Sequence, residues 1–392
     1  MDKKVLLNKE RIISVIIGLI MIGILAGFYF YRPGDEEFSR EARGVVLETD
    51  DRDVQGSGIT RFGNQFVEVE LKDGKFEGQE VRATNQLVGS LAWDYSFSVG
   101  EEIIVGIFEN EEGELAGAVA LDVYRQNWTF ILVACFILLL LLYAGYTGLR
   151  ALLSFAGSLY VIWNILIPGL LDGLNPLIFS GLVLVILSAL IIFLIAGFTK
   201  KGISAFVGTI SSLFITIGIA VFFGSRLALD GLSVPYVGEV LFAGYMHLNI
   251  RDIFFATVVI GASGAAMDIA MDMAATIKEI KLRKPDISFT ELAKSGFNVG
   301  SAVIGTMTTT LLLAYIGSYM TLFMAFMTRE ASFVRVMNLR LIVSEILRTL
   351  TGSIGIVLVA PITTVFAAWI YTIEIDFSVS SIKNYFFNKK DG

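Results

Sequence analysis

The stretch IFFATVVIGASGAAMDIAMD, Ile253 to Asp272, decides what kind of protein this is. Its first 15 residues are uncharged, and Asp268 and Asp272 follow, four positions apart. Fifteen helical residues cover only about 22 Å. The hydrocarbon core of a bilayer is about 30 Å thick, so a helix crossing here carries Asp268 into the membrane. The same apolar character recurs on both sides, at about 128–147, 150–171, 175–198, 203–224, 299–324 and 341–372. Runs of this length span a bilayer rather than fill a soluble core. With a further run at 12–31, the pattern predicts an α-helical polytopic membrane protein of about eight spans.

Composition agrees. Of 392 residues, 55% are hydrophobic and only 17% charged, against about 25% charged in soluble proteins. A wholly soluble enzyme is excluded. The net charge of −7 shows no polybasic footprint, which argues against a nucleic-acid partner. One Cys, Cys135, and one His, His247, exclude an intrachain disulfide, a Cys-based zinc site and two-His metal motifs.

Residues 1–31 read as a membrane anchor. Lys3, Lys4, Lys9 and Arg11 precede the apolar run, which ends in the aromatic Phe28-Tyr29-Phe30-Tyr31 rather than in a small-residue cleavage site. Residues 32–126 differ in kind, with 21 acidic residues against 9 basic ones. Short alternating stretches at 44–48, 65–71, 80–83, 102–108 and 114–124, with turns at Asp73-Gly74 and Glu112-Gly113, read as strands. They predict a small β-rich barrel of the SH3-like or OB-like kind between spans 1 and 2. Residues 127–377 form the membrane domain with spans 2–8, and residues 378–392 a cytoplasmic tail. Basic residues are denser on the side of the N-terminus and of the 278–297 loop. The positive-inside rule therefore puts both termini in the cytoplasm and residues 32–126 outside.

Ionisable residues inside lipid are expensive and mark pathways by default. Asp268 and Asp272 share a helix face with Gly261 and Gly264, where small residues let a helix or solute approach. Two such carboxylates want a cation or a proton; the bland reading is an inner-end cap with a hydrogen bond to a neighbouring Thr. A second pair, Glu345 and Arg348, stands three apart in the last span and is expected in its outer half, which disfavours direct pairing with Asp268. It serves either as an internal ion pair or as a gate. A third feature, Gly300 to Thr310, holds Gly305, Thr306, Thr308 and Thr310 and suits a discontinuous or tightly packed helix; back-bonding to its own turn is the plainer alternative. Before it, Ser288 is a candidate N-cap, with Glu291 three residues on. Gly261-Ala-Ser-Gly264 matches a rhomboid-type G-x-S-G. The sole His, however, precedes Ser263 in an external loop, so no enzyme is indicated. No phosphate-binding loop appears.

Several segments resemble the YibE/F family of multispan bacterial membrane proteins. They are Gly261 to Asp272, then Glu291-Leu-Ala-Lys-Ser-Gly-Phe-Asn-Val-Gly300 with Asn298 inside it, Gly305-Thr-Met, Leu311 to Gly317, and Glu345 to Gly355. The resemblance covers roughly residues 128–373. The chain departs from the family pattern at Ser301-Ala302, where an Arg-Asp pair is usual, and at Thr309, where Asn is. The resemblance implies a polytopic fold in the bacterial cytoplasmic membrane and, since some members are encoded as adjacent pairs, a homo-oligomer or a paired family member as partner. It supplies no substrate. The residues themselves point to a secondary transporter or channel-like protein for a small ion or solute, coupled to a proton or cation, with no cofactor. In that reading Asp268, Asp272, Gly261, Gly264, Asn298, Gly305, Thr306, Thr308, Thr310, Glu345 and Arg348 line the pathway. The competing expectation is a non-transporting envelope scaffold or regulator whose outer domain binds a partner.

Overall fold

The computed structural model describes residues 41–328 and 332–373. The expected anchor at 12–31 and the expected cytoplasmic tail at 378–392 lie outside the described residues. Contacts divide the chain into two units, at Leu149/Arg150.

The first unit contains a closed barrel of five strands, β1 (Glu41–Ser57), β2 (Thr60–Leu71), β3 (Glu80–Val88), β4 (Glu102–Glu109) and β5 (Leu115–Val123). Alternation places Val46, Val67, Val69, Val81, Ala83, Ile103, Val105 and Ala118 inside. The meander β1-β2-β3 is closed by the hairpin β4-β5. Glu41 to Val45 of β1 pair with Gly106 to Glu102 of β4, and a short parallel contact joins Ala83 and Thr84 of β3 to Ala118 and Val119 of β5. All five expected strands are present. The first two are much longer than expected, because they continue beyond the barrel as a polar ribbon that turns at Gly58-Ile59. Inside, the buried Gln65 donates to Asp51 (2.8 Å) and to the Phe97 carbonyl (3.0 Å), and Asn85 donates to Gln65 (3.0 Å) and to the Tyr95 carbonyl (2.7 Å). These bonds pin the 90–98 loop over the barrel. On the polar ribbon, the Arg52 guanidinium beside Asp50 holds that carboxyl well below the usual carboxylate range.

The helices follow: α1 (Gln126–Leu171), α2 (Pro176–Ala196), α3 (Lys200–Arg226), α4 (Val237–Phe242), α5 (Ile250–Arg283), α6 (Phe289–Ser318), α7 (Met320–Met327), α8 (Phe333–Met337) and α9 (Arg340–Thr372). Among the described residues, six of them are long and apolar enough to cross a membrane: α1, α2, α3, α5, α6 and α9. The sequence reading put seven spans over the same region. The difference lies in α1, whose 46 residues would measure about 69 Å, more than twice the hydrocarbon thickness. Gly145 interrupts it with φ 54° and ψ −126°, a conformation no helix contains and few residues but glycine adopt. The expected boundary between two spans, at 147–150, falls close to this break.

Side-chain caps start α2, α3, α5 and α6. Asn175, Thr199, Asn249 and Ser288 accept from the backbone N–H of Ile178, Gly202, Asp252 and Glu291. The Ser288 cap is the expected one. The helix it opens runs unbroken into the span, so of the two readings of 300–310 the discontinuous helix gives way to one continuous α6. Residues 227–249 hold turns and the short α4 in place of a further span. They are tied to the start of α9 by Arg340–Asp230 (2.7 Å) and Ser233–Ser344 (3.0 Å).

In the second unit α5 is the most deeply buried of the six long helices and α6 the least. Helix α5 packs on α2, α3, α6 and α9, and α3 packs on α9. Their shared core contains Leu187, Ala205, Ala266, Met273, Ile356 and Ala360.

Candidate functional site

The central helix is covered on every side but one. Ala262, Ser263, Ala266, Met267, Ile269, Ala270, Met273 and Ala274 of α5 are buried against its neighbours, whereas Gly261, Gly264, Asp268 and Asp272 are exposed. These four recur at helical spacing, so they make one open line along a helix otherwise enclosed. Both acids therefore share the face expected of them. A Cβ built on Gly264 meets nothing within 4 Å, and one on Gly261 meets only the Tyr315 hydroxyl, at 3.6 Å.

The two acids have different surroundings. Asp272 lies within electrostatic reach of Lys201, in the first turn of α3, and Lys201 also lies within reach of Lys278. Asp268 has its fellow acid Asp272 as its charged neighbour. No group of three or more His, Cys, Asp or Glu suited to a metal occurs among the described residues.

Glu345 and Arg348 sit elsewhere. They face each other at 3.8 Å on α9, largely buried, and the Arg348 guanidinium stands 5.8 Å from the Phe254 ring centroid. Phe254 precedes Asp268 by 14 residues of α5, about 21 Å. The structure thus holds the α9 pair and the α5 acids at separate levels. Tyr315 of α6 and Tyr319, just past its C-terminal end, are within electrostatic reach of the α9 pair. The Tyr315 hydroxyl also borders Gly352 of α9, 3.8 Å from a Cβ built there. Sequence reasoning missed Tyr315, Tyr319 and Lys201. The spacing of the two tyrosines, four apart at the end of an apolar helix, was a usable signal, whereas the place of Lys201 depends on how α3 meets α5.

On α6, Asn298, Gly305, Thr306 and Thr310 are exposed and Thr308 is half-buried. The Thr306, Thr309 and Thr310 hydroxyls donate to carbonyls of their own helix, those of Val303, Gly305 and Thr306. Thr308 is the exception: its hydroxyl is buried and has no hydrogen-bond partner among the described residues. Ser263 donates to the Ile260 carbonyl (2.7 Å), and His247 donates from Nε2 to the Leu171 carbonyl (3.2 Å).

The YibE/F-like protein family matches residues 132–373, and the YibE/F family N-terminal domain matches residues 38–122. The chain belongs to the YibE/F family. The two matches correspond to the helical body and to the barrel of this YibE/F protein, and its architecture is that of a small five-stranded barrel followed by apolar helices of membrane-spanning length. No curated protein and no solved structure matches it.

Proposed function

We propose that this YibE/F protein moves a small ion or solute across the bacterial cytoplasmic membrane, with Asp268 as the acid that binds the coupling proton or cation. One observation carries the reading: the most enclosed helix of the bundle leaves its two acids on its one open line. Charge is not left facing hydrocarbon without a function or a counter-charge. Asp272 has Lys201 within electrostatic reach, so Asp268 is the acid whose charge calls for a transported or titrating partner. Small residues at Gly261 and Gly264 keep the approach along that line open. The threonines of α6 extend the polar lining, and the α9 pair stabilises the opposite level. Both chain ends lie in the cytoplasm in this reading, the barrel lies outside, and the protein is no enzyme.

A second reading has a specific observation behind it. The same open line suits a helix of a second copy or of a paired family member, which makes the protein a scaffold. Asp268→Asn separates the two. In proteoliposomes carrying an ion panel, transport predicts a flux in the wild type that falls at least tenfold in the variant, while expression and thermal unfolding stay close to wild type. A scaffold predicts no flux from either protein, and a variant whose oligomer dissociates or whose folding fails. Wild-type liposomes that pass no ion or solute sink the transport reading.

A further inference from the structure

The turn that joins α5 to α6 encloses a groove of about 600 Å3. Arg283 and Lys284 at the end of α5 line one side, and Glu291, Lys294 and Asn298 at the start of α6 line the other. Ile280 and Ile287 form an apolar base that packs onto the end of α9 through Ala367 and Ala368.

Its acids are already neutralised. Arg283 Nε meets Glu279 at 3.0 Å, and Lys284 Nζ meets Glu291 at 3.1 Å. Arg283 makes this contact through Nε, and its side chain is otherwise largely exposed. Among the described residues, neither the Lys294 ammonium nor the Asn298 carboxamide has a hydrogen-bond or ion-pair partner. Along the groove Arg283, Lys284 and Lys294 stand against Glu279 and Glu291, so the lining is net positive. Just beyond Asn298, Val299 to Thr328 contain no charged residue at all. The groove therefore opens where the chain enters the apolar layer, at headgroup depth.

We propose that this groove binds the phosphate headgroup of an anionic phospholipid. Lys294 and the terminal nitrogens of Arg283 hold the phosphate oxygens by charge-assisted hydrogen bonds, Arg through its planar fork and Lys as a point charge. Asn298 donates to an ester or hydroxyl oxygen deeper in, and Ile280 and Ile287 take the glycerol end. Free phosphate offers the same oxygens, but the apolar base and the edge of the uncharged run select a ligand whose chains continue into the bilayer. The site stands independently of any transport activity.

The test uses the full chain in neutral detergent, titrated with phosphatidylglycerol, phosphatidylcholine or inorganic phosphate. Thermal unfolding and lipid retention in native mass spectrometry are the readouts. Phosphatidylglycerol is expected to raise Tm and to remain bound as a discrete adduct, and the other two to do neither. Lys294→Gln is expected to weaken retention about fivefold, the factor for one basic residue near an anionic headgroup, and Lys294→Arg to restore it. Without lipid, both variants unfold at the wild-type temperature, because Lys294 has no partner to lose. Equal stabilisation by phosphatidylcholine, equal stabilisation by inorganic phosphate, or undiminished retention by Lys294→Gln overturns the assignment. If Lys294→Gln does not fold, Asn298→Ala takes its place under the same criteria.

Discussion

Glu345 and Arg348 approach to 3.8 Å, too far for a hydrogen bond and close enough for strong attraction where little water reaches. Glu345 Oε2 and Arg348 Nε are both buried without a hydrogen-bond partner among the described residues, so the two charges lean on each other, with the Tyr319 hydroxyl as a further partner of Glu345. Removing one side should therefore cost more than removing both. Glu345→Leu and Arg348→Leu are each expected to destabilise the protein by on the order of 3 kcal/mol, and the double variant to recover most of that loss. Thermal unfolding of the four proteins in one detergent checks it, and a double variant no better than its worse parent refutes mutual compensation. The hydroxyls of α6 illustrate the opposite case. Thr306, Thr309 and Thr310 are satisfied inside their own turns, so their presence needs no pathway to explain it. Thr308, buried and unpartnered, is the hydroxyl there with something left to bind.

Helices α3 and α9 meet through the absence of side chains. A Cβ built on Gly208 collides with Thr363 Oγ1, and one on Gly355 falls 2.6 Å from Thr216 Oγ1. In lipid, where burying a Leu gains little, such close approach supplies much of the cohesion between helices. Gly208→Ala should push α3 from α9 and cost about 1–3 kcal/mol. Gly218→Ala, on the same helix but with open space around it, should be neutral or stabilising by about 0.5–1 kcal/mol. Equal Tm shifts for the two variants would show that helix propensity, and not contact, sets the outcome. The same physics limits what the sequence discloses. The barrel strands were legible because Val67, Val69 and Leu71 alternate with Glu68 and Glu70, a period that water enforces. The ribbon at 50–64 was not, since it faces solvent on both sides and no alternation marks it. The membrane helices were legible as runs, but a helix apolar all round does not reveal its packed face. That is why the acids could be found in the sequence while the place of Lys201 could not.

Charge is distributed unevenly over the whole molecule: residues 32–126 carry −12 of a total of −7, so everything else sums to +5. The acidic pI near 5.0 describes one part of the chain only. This asymmetry bears on how many times the chain crosses the membrane. Between the barrel and the 284–288 turn lie α1, α2, α3 and α5. If α1 crosses once, four crossings return the turn to the side of the barrel. If the Gly145 break makes α1 cross twice, five crossings put the turn on the opposite side. The second count agrees with the positive-inside rule, because the barrel is acidic and the turn is basic. It also agrees with length, since the 19 residues before Gly145 cover about 29 Å. Cys135 is the sole cysteine, so a Cys135→Ser background allows single reporters at Glu112, in the β4–β5 turn, and at Asp286. In intact cells a membrane-impermeant maleimide should label Glu112→Cys and leave Asp286→Cys unreacted until the membrane is opened. Labelling of both from one side would mean that α1 crosses once, and would place the Asp268 line and the lipid groove in the reverse orientation to the one argued above.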